Sequence, residues 1–235
     1  MKIAVVIPTY NERETIAALL DEVAVLRDPM IDDVVVIVVD HGSPDGTAEI
    51  VQAARRNHAN LRLLKGERQG LGDALVKGFV YALEQVGPDA VIQMDADFSH
   101  APADIPRLIA ALDASDFVIG SRYVTGGRVA KRWHGVRRLI SLVGNTITRW
   151  ALGLRAIKDC TSGFRGIRTS LLRQIDLHTI RPRGYVFQIA MVRAAMEHNA
   201  TITEVPITFN ERRAGTSKFG FGELWRAMMY LVTGN

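Results

Sequence analysis

Short apolar runs alternate with helical patterns through the first half of the chain. Lys2–Ile7, Asp33–Val39, Leu61–Lys65, Ala90–Met94 and Phe117–Gly120 predict strands, several of them almost wholly apolar. Such runs suit a parallel sheet covered on both faces. Asn11, with Glu14 three positions on, predicts a capping box for a helix through Leu26. Ser43-Pro44 sets a cap residue before a first-turn proline and predicts a helix to about Asn57. Leu71–Val86 reads as a helix stopped by Gly87-Pro88, and Ala103–Leu112 as one opened by Pro102. This repetition predicts an α/β fold: a mostly parallel central sheet flanked by helices, with right-handed crossovers.

After Gly120 the rhythm changes. Residues 121–135 are rich in Gly and Arg and read as a mobile loop. Helices are expected over about 136–152 and 186–199, strands over Gly163–Arg168 and Ile202–Asn210, a polar loop over 211–222 and a last apolar helix over Leu224–Val232. No repeat or linker interrupts the 235 residues, so a single domain is expected.

Composition narrows the class. Apolar residues make up 48% and charged residues 23%, which excludes wholesale disorder. A single cysteine, Cys160, excludes an internal disulfide and suits a reducing compartment. The first apolar run is too short for a secretory signal, and none reaches the ~18 residues of a membrane span. The net charge of +4 is mild, but its distribution is uneven. From Phe117 to Lys158 no Asp or Glu occurs among nine basic residues, including Arg122, Arg128, Arg137, Arg149 and Arg155. Such a field attracts an anion, unless acids from elsewhere in the fold neutralise it.

In an open α/β sheet, ligands bind beyond the carboxyl ends of the strands. The loops following three predicted strands read Pro8-Thr9-Tyr10-Asn11-Glu12, Asp40-His41-Gly42-Ser43 and Asp95-Ala96-Asp97. The last sends two carboxylates from a strand end, and a hard divalent ion such as Mg²⁺ is typically held by one or two carboxylates plus substrate phosphates. His100 stands close enough in sequence to add a ligand. A loop histidine more often only hydrogen-bonds, so it is left out of the set. The glycine motifs of dinucleotide and P-loop folds are incomplete or absent, and no nucleophile–base–orienter set is recognisable.

The pieces VVIPTYNE (Val5–Glu12), VVDHGSPDGT (Val38–Thr47), MDADFSH (Met94–His100), GSRYVTGG (Gly120–Gly127), Trp133 with Arg137 and Ser141, DCTSGFR (Asp159–Arg165), GYVFQ (Gly184–Gln188), EVPITF (Glu204–Phe209) and ERRAGTSK (Glu211–Lys218) occur in this order. Together they resemble the dolichol-phosphate mannosyltransferases (polyprenyl-monophosphate mannose synthases) among the inverting glycosyltransferases of the GT-A fold. The resemblance spans nearly the whole chain. It implies a nucleotide-sugar-binding half over 1–120 and an acceptor-binding half over 121–235. Pro8, Tyr10 and Glu12, with Val39, Asp40, His41, Asp95 and Ala96, would line the nucleotide pocket. Asp97 would be the firmer Mg²⁺ or Mn²⁺ ligand, with Asp95 and Ser99 beside it. Arg122, Arg137, Arg212 and Lys218 would contact donor or acceptor phosphates, a task suited to arginine's planar fork.

Three positions depart from the pattern. His41 stands in place of a second consecutive aspartate that contacts the base, and a neutral imidazole accepts one hydrogen bond and carries no negative charge. Ser99 stands where some members have a metal-contacting Gln, and Ala190 where members often carry Glu.

The resemblance implies transfer of mannose from GDP-mannose to a polyprenyl (dolichyl) monophosphate with inversion. An alcohol acceptor needs a base; a lipid phosphate monoester, with a second pKa of about 6, is already anionic. The lack of an obvious base therefore suits that acceptor. The enzyme would work at the cytoplasmic face of a membrane as a peripheral protein, with a small membrane subunit as a further partner. Competing readings are a UDP-glucose-dependent polyprenyl-phosphate glucosyltransferase and a catalytically weak or silent relative. A nucleic-acid partner is disfavoured, because aromatics are sparse among the cations.

Overall fold

The structure is a computed structural model and describes residues 1–130, 145–146, 149–150, 153–154, 156–180, 184 and 186–213. The sequence expectations at Trp133, Arg137, Ser141, Tyr185 and Lys218, the helix over Leu224–Val232 and most of that over 136–152 lie outside these residues.

The short apolar runs form the strands expected of them: β1 (Lys2–Thr9), β2 (Asp33–Asp40), β3 (Leu61–Lys65), β4 (Ala90–Gln93) and β5 (Phe117–Ser121). A two-residue strand β6 (Arg128–Val129) follows inside the expected 121–135 loop, then β7 (Arg165–Arg168), β8 (Ile202–Pro206) and β9 (Thr208–Phe209). The main sheet has the order β3-β2-β1-β4-β7-β5-β8. It is mostly parallel; β7 is the exception, antiparallel to both β4 and β5.

Helices α1 (Ile16–Ala24), α2 (Thr47–Ala54), α3 (Leu71–Tyr81), α4 (Ile105–Ala111), α5 (Thr169–Leu172) and α6 (Val186–Glu197) flank this sheet. Alternate side chains of β2 divide the core. Val35, Ile37 and Val39 pack with Leu75 and Phe79 of α3 and with α6, whereas Val34, Val36 and Val38 join Leu19 and Leu20 of α1, Val51 of α2 and Leu108 of α4.

Two helix starts differ from expectation. Asn11 adopts φ 58° and makes no capping box; α1 begins at Ile16, after Thr15 Oγ1 donates to Glu12 O at 3.2 Å. The second helix begins at Thr47, not behind Ser43-Pro44, because Ser43 Oγ is turned to Asp40 Oδ1 at 2.5 Å while Asp45 Oδ1 takes the Thr47 N–H at 3.0 Å.

From β1 the chain runs outward to β2 and β3, then returns to place β4 on the other side of β1. This reversal is the switch point at which ligands of open α/β sheets bind. The loops bounding it follow β1 and β4.

Candidate active site

The loops after β1 and β2 are zipped together by side chains. Asp40 is buried and its carboxylate accepts from Thr9 Oγ1 (3.0 Å), Ser43 Oγ and Ser43 N (3.0 Å). Asn11 N donates to Ser43 Oγ at 3.0 Å and Glu12 N to Thr47 Oγ1 at 3.0 Å. Asp40 thus builds the wall on which Tyr10 and Glu12 stand. Pro8 and Val39 are neighbours in the β1–β2 register. The Arg68 guanidinium lies 4.2 Å over the Tyr10 ring, a stacked wall that no sequence motif had indicated.

His41 continues β2, its N–H donating to Thr9 O. Its ring is buried against α3, with Nε2 3.6 Å from Asp73 Oδ2. Burial pushes its pKa below the ordinary histidine value, with Asp73 opposing, so the ring is neutral at pH 7.

The loop after β4 is held tightly. Phe98 adopts φ 63°, uncommon for a bulky residue and a mark of a site that over-determines its backbone. Asp97 is 4% exposed; its Oδ1 accepts from Ser99 N at 2.9 Å and its Oδ2 from Arg212 Nε at 2.8 Å. Arg213 N donates to Asp97 O at 3.1 Å, and the Arg213 guanidinium lies 3.6 Å over the Phe98 ring. Asp95 is more open. Gly163 faces it: a Cβ there would lie 3.4 and 3.6 Å from the two carboxylate oxygens, so a side chain would cover the group.

Arg122 does not stand as a bare surface cation. It is 5% exposed and forks onto Asp159, Nε to Oδ2 at 2.8 Å and Nη2 to Oδ1 at 2.7 Å, while its own N–H donates to Oδ2 at 3.0 Å. Burial pushes the Asp159 pKa up, but the Arg122 charge and hydrogen bonds outweigh it and hold the carboxyl below the usual range. Gly127 turns the chain back over this pair: a Cβ there would fall 2.6 Å from Ser121 O and 2.8 Å from Arg122 O. The Asp159 loop rests in turn on Arg165. That fully buried guanidinium donates to Ser162 O (2.8 Å) and Cys160 O (2.9 Å). Burial pushes it down to about 9, still charged at pH 7. Cys160 is buried and its thiol is pushed up to about 12, so it is no nucleophile.

The site therefore joins Asp95, Ala96, Asp97, Ser99, Arg122 and Arg212 at the sheet's carboxyl edge, beside the wall of Tyr10, Glu12, Asp40 and His41. Asp159, Arg165, Arg68 and His100 were not among the residues expected to form it. Their partners lie far off in sequence, Asp159 being 37 residues from Arg122.

Three features test whether this edge fits a divalent cation. Its donors are hard oxygens, as Mg²⁺ and Mn²⁺ prefer. The Ser99 Oγ is buried and has no hydrogen-bond partner among the described residues. A cationic guanidinium already stands on the Asp97 carboxylate. Among the described residues no group of three or more His, Cys, Asp or Glu side chains converges as a metal cage. The fit is that of an ion held by two carboxylates and shared with a ligand's phosphates.

The family model for glycosyl transferase family 2 matches residues 4–176, and the chain belongs to that family. Within it, the chain is 40% identical over 230 residues to the undecaprenyl-phosphate mannosyltransferase of Micrococcus luteus (97% of this chain, 92% of that one). It is 39% identical over 227 residues to the polyprenol monophosphomannose synthase of Mycolicibacterium smegmatis (95% and 83%). The dolichol-phosphate mannosyltransferase of Pyrococcus furiosus is 36% identical over 220 residues (93% and 59%). The chain thus falls in the polyprenyl-phosphate mannosyltransferase branch of the family. Among solved structures, glucosyl-3-phosphoglycerate synthase of Mycobacterium tuberculosis, crystallised with Mn²⁺, UDP-glucose and phosphoglyceric acid, superposes with a TM-score of 0.67 at 22% identity, covering 98% of this chain and 77% of that one. At that identity the likeness is one of fold. It matches the expected GT-A architecture.

Proposed function

We propose that this protein transfers mannose from GDP-mannose to a polyprenyl monophosphate, with inversion at the sugar's anomeric carbon. The observation that carries the reading is the state of the acids at the switch point. Asp40, Asp97 and Asp159 are each bonded through both carboxylate oxygens, His41 and His100 are buried out of an acceptor's reach, and the more open Asp95 is taken here as a cation ligand. Such a site offers little to remove an alcohol's proton. It offers cations instead, which is what an acceptor that arrives as an anion needs.

Asp95 and Asp97, with Ser99 Oγ, are the residues that would hold Mg²⁺ or Mn²⁺. Such an ion supplies electrostatic stabilisation of the charge that gathers on a departing nucleoside diphosphate. Tyr10, braced by Arg68, presents a flat wall to the nucleotide. Arg122, fixed by Asp159, contributes a preorganised cation whose field is partly offset by its partner. Arg212 stands on Asp97 and carries the positive charge of the Thr208–Arg213 segment into the cleft. Arg137 and Lys218 are assigned to phosphates by motif alone. The acceptor's lipid tail implies work at a membrane surface. No helix among the described residues is long and apolar enough to cross a membrane; the basic residues that follow the buried Arg122, from Arg128 to Lys158, are the part assigned to anionic headgroups.

Incubation with radiolabelled GDP-mannose or UDP-glucose, a polyprenyl phosphate and Mn²⁺ tests the donor. Lipid-linked label from GDP-mannose is expected. Label from UDP-glucose alone would replace the donor assignment, and label from neither would remove the enzymatic one.

A further inference from the structure

The His100 side chain is almost wholly enclosed beside the switch point, at 1% exposure. Its ring stacks on Phe164 at 4.9 Å between centroids and 13° between planes, and meets the Phe209 edge at 5.5 Å. Phe164 belongs to the segment that carries Asp159 and Gly163; Phe209 belongs to β9, which runs into Arg212. Nδ1 accepts the Asp95 backbone N–H at 3.1 Å. That nitrogen is therefore unprotonated, and the ring's hydrogen sits on Nε2, a buried atom with no hydrogen-bond partner among the described residues. One ring thus touches three segments that bring charge to the site, and its hydrogen bond is made to the amide of a carboxylate residue. The neighbouring Ser99 carbonyl is tied as well: it accepts from Asn210 N at 3.0 Å.

We propose that His100 is a positioning residue, locked as the Nε2–H tautomer, which holds the Asp95 amide and thereby aims the Asp95 carboxylate at the ligand. The inference rests on reading Asp95 and Asp97 as divalent-cation ligands. A ring that accepts a backbone N–H at Nδ1 cannot ligate through that atom, so His100 acts on the cation through Asp95 alone. Outer-shell partners of this kind commonly alter metal affinity about 10–100-fold when replaced.

Three variants separate this role from packing. In His100→Asn the amide oxygen falls where Nδ1 stood, so the acceptor survives and the stack is lost. In His100→Phe the stack survives and the acceptor is lost. His100→Gln places its polar end near Nε2 instead. Mn²⁺ binding to the purified protein, read by electron paramagnetic resonance without substrate, is compared with thermal stability. The expected order of Mn²⁺ affinity is wild type, then His100→Asn within about threefold, then His100→Gln and His100→Phe weaker by about 10-fold or more. The expected order of stability differs, with His100→Phe above His100→Asn. Affinity that follows stability, with His100→Phe binding like wild type, overturns the positioning role alone. Wild type that binds no Mn²⁺ overturns the metal reading and this inference together. Nitrogen-15 spectra of the wild-type histidines give a check that needs no variant to fold: the His100 ring is expected as the Nε2–H tautomer, with Nδ1 accepting the Asp95 N–H, and an Nδ1–H tautomer overturns the proposal.

Discussion

Arg212 Nε stands 2.8 Å from Asp97 Oδ2, so the carboxylate that follows β4 is held by a cation of the protein itself. Asp97 is almost wholly buried, while Arg212 keeps about a quarter of its side chain exposed. The more mobile partner is therefore the guanidinium. Where a divalent ion and a diphosphate enter, Arg212 has a phosphate to turn to and Asp97 keeps a cation.

This exchange predicts opposite effects on binding and turnover. Arg212→Gln removes a competitor from Asp97, so Mn²⁺ alone should bind more tightly, by about threefold to tenfold, the worth of one charged hydrogen bond part-screened by solvent. Mannosyl transfer should fall in the same variant. Titration of Mn²⁺ without nucleotide checks the first part; unchanged or weaker binding would remove Arg212 as the competing cation.

Asp97→Asn should reduce transfer on the order of 10²–10³-fold, the usual loss when one element of transition-state charge stabilisation is removed. Activity within a few-fold of wild type, at saturating Mn²⁺, would take Asp97 out of the metal site.

His41 and Asp73 are coupled through 3.6 Å. His41→Asp sets two carboxylates side by side, which disfavours ionisation of one. It should destabilise the fold, and adding Asp73→Asn should return about 1 kcal/mol of that loss. Urea unfolding of the two single variants and the double variant measures the coupling. Strict additivity would mean that the two groups do not interact.

Asp159→Asn leaves Arg122 buried without its full partner and should cost roughly 3–5 kcal/mol of stability. The pH dependence has a definite sign. The folded pKa of Asp159 is depressed, so its contribution is complete above the unfolded value of about 3.9 and disappears as pH falls through the lower folded value. Stability measured from pH 6 down to pH 2 should therefore fall more steeply in wild type than in Asp159→Asn. Parallel curves would contradict the pairing.

The strands of the first half were legible because their apolar runs are bounded by turn residues, and α3 continues through a π-helical turn, Ala82–Val86, to stop at Gly87 as the sequence indicates. The place of β7 was not. Arg165–Arg168 lies between β4 and β5 and antiparallel to both, and nothing in its local pattern encodes which neighbours it takes. The same holds for the site. Asp95 and Asp97 were visible because they follow a buried strand. Asp159 was invisible as the partner of Arg122, since a 37-residue separation leaves no periodic trace. His100 stood within a recognised motif, yet its task became apparent only when Phe164, Phe209 and the Asp95 amide were seen around its ring. Asn11 misled because an Asn three residues before a Glu reads as a cap, while the same side chain also tolerates the left-handed backbone it adopts here.

On this reading the acceptor reaches the sugar already carrying negative charge. Matched polyprenyl phosphate and polyprenol, each offered with GDP-mannose and Mn²⁺ across pH 5 to 9, separate it from base-assisted transfer. Transfer to the phosphate only is expected, rising through the acceptor's second ionisation near pH 6 and level above it. Comparable transfer to the alcohol, or a rate that keeps climbing well above pH 7, would show that a base removes a proton and would overturn the anionic acceptor.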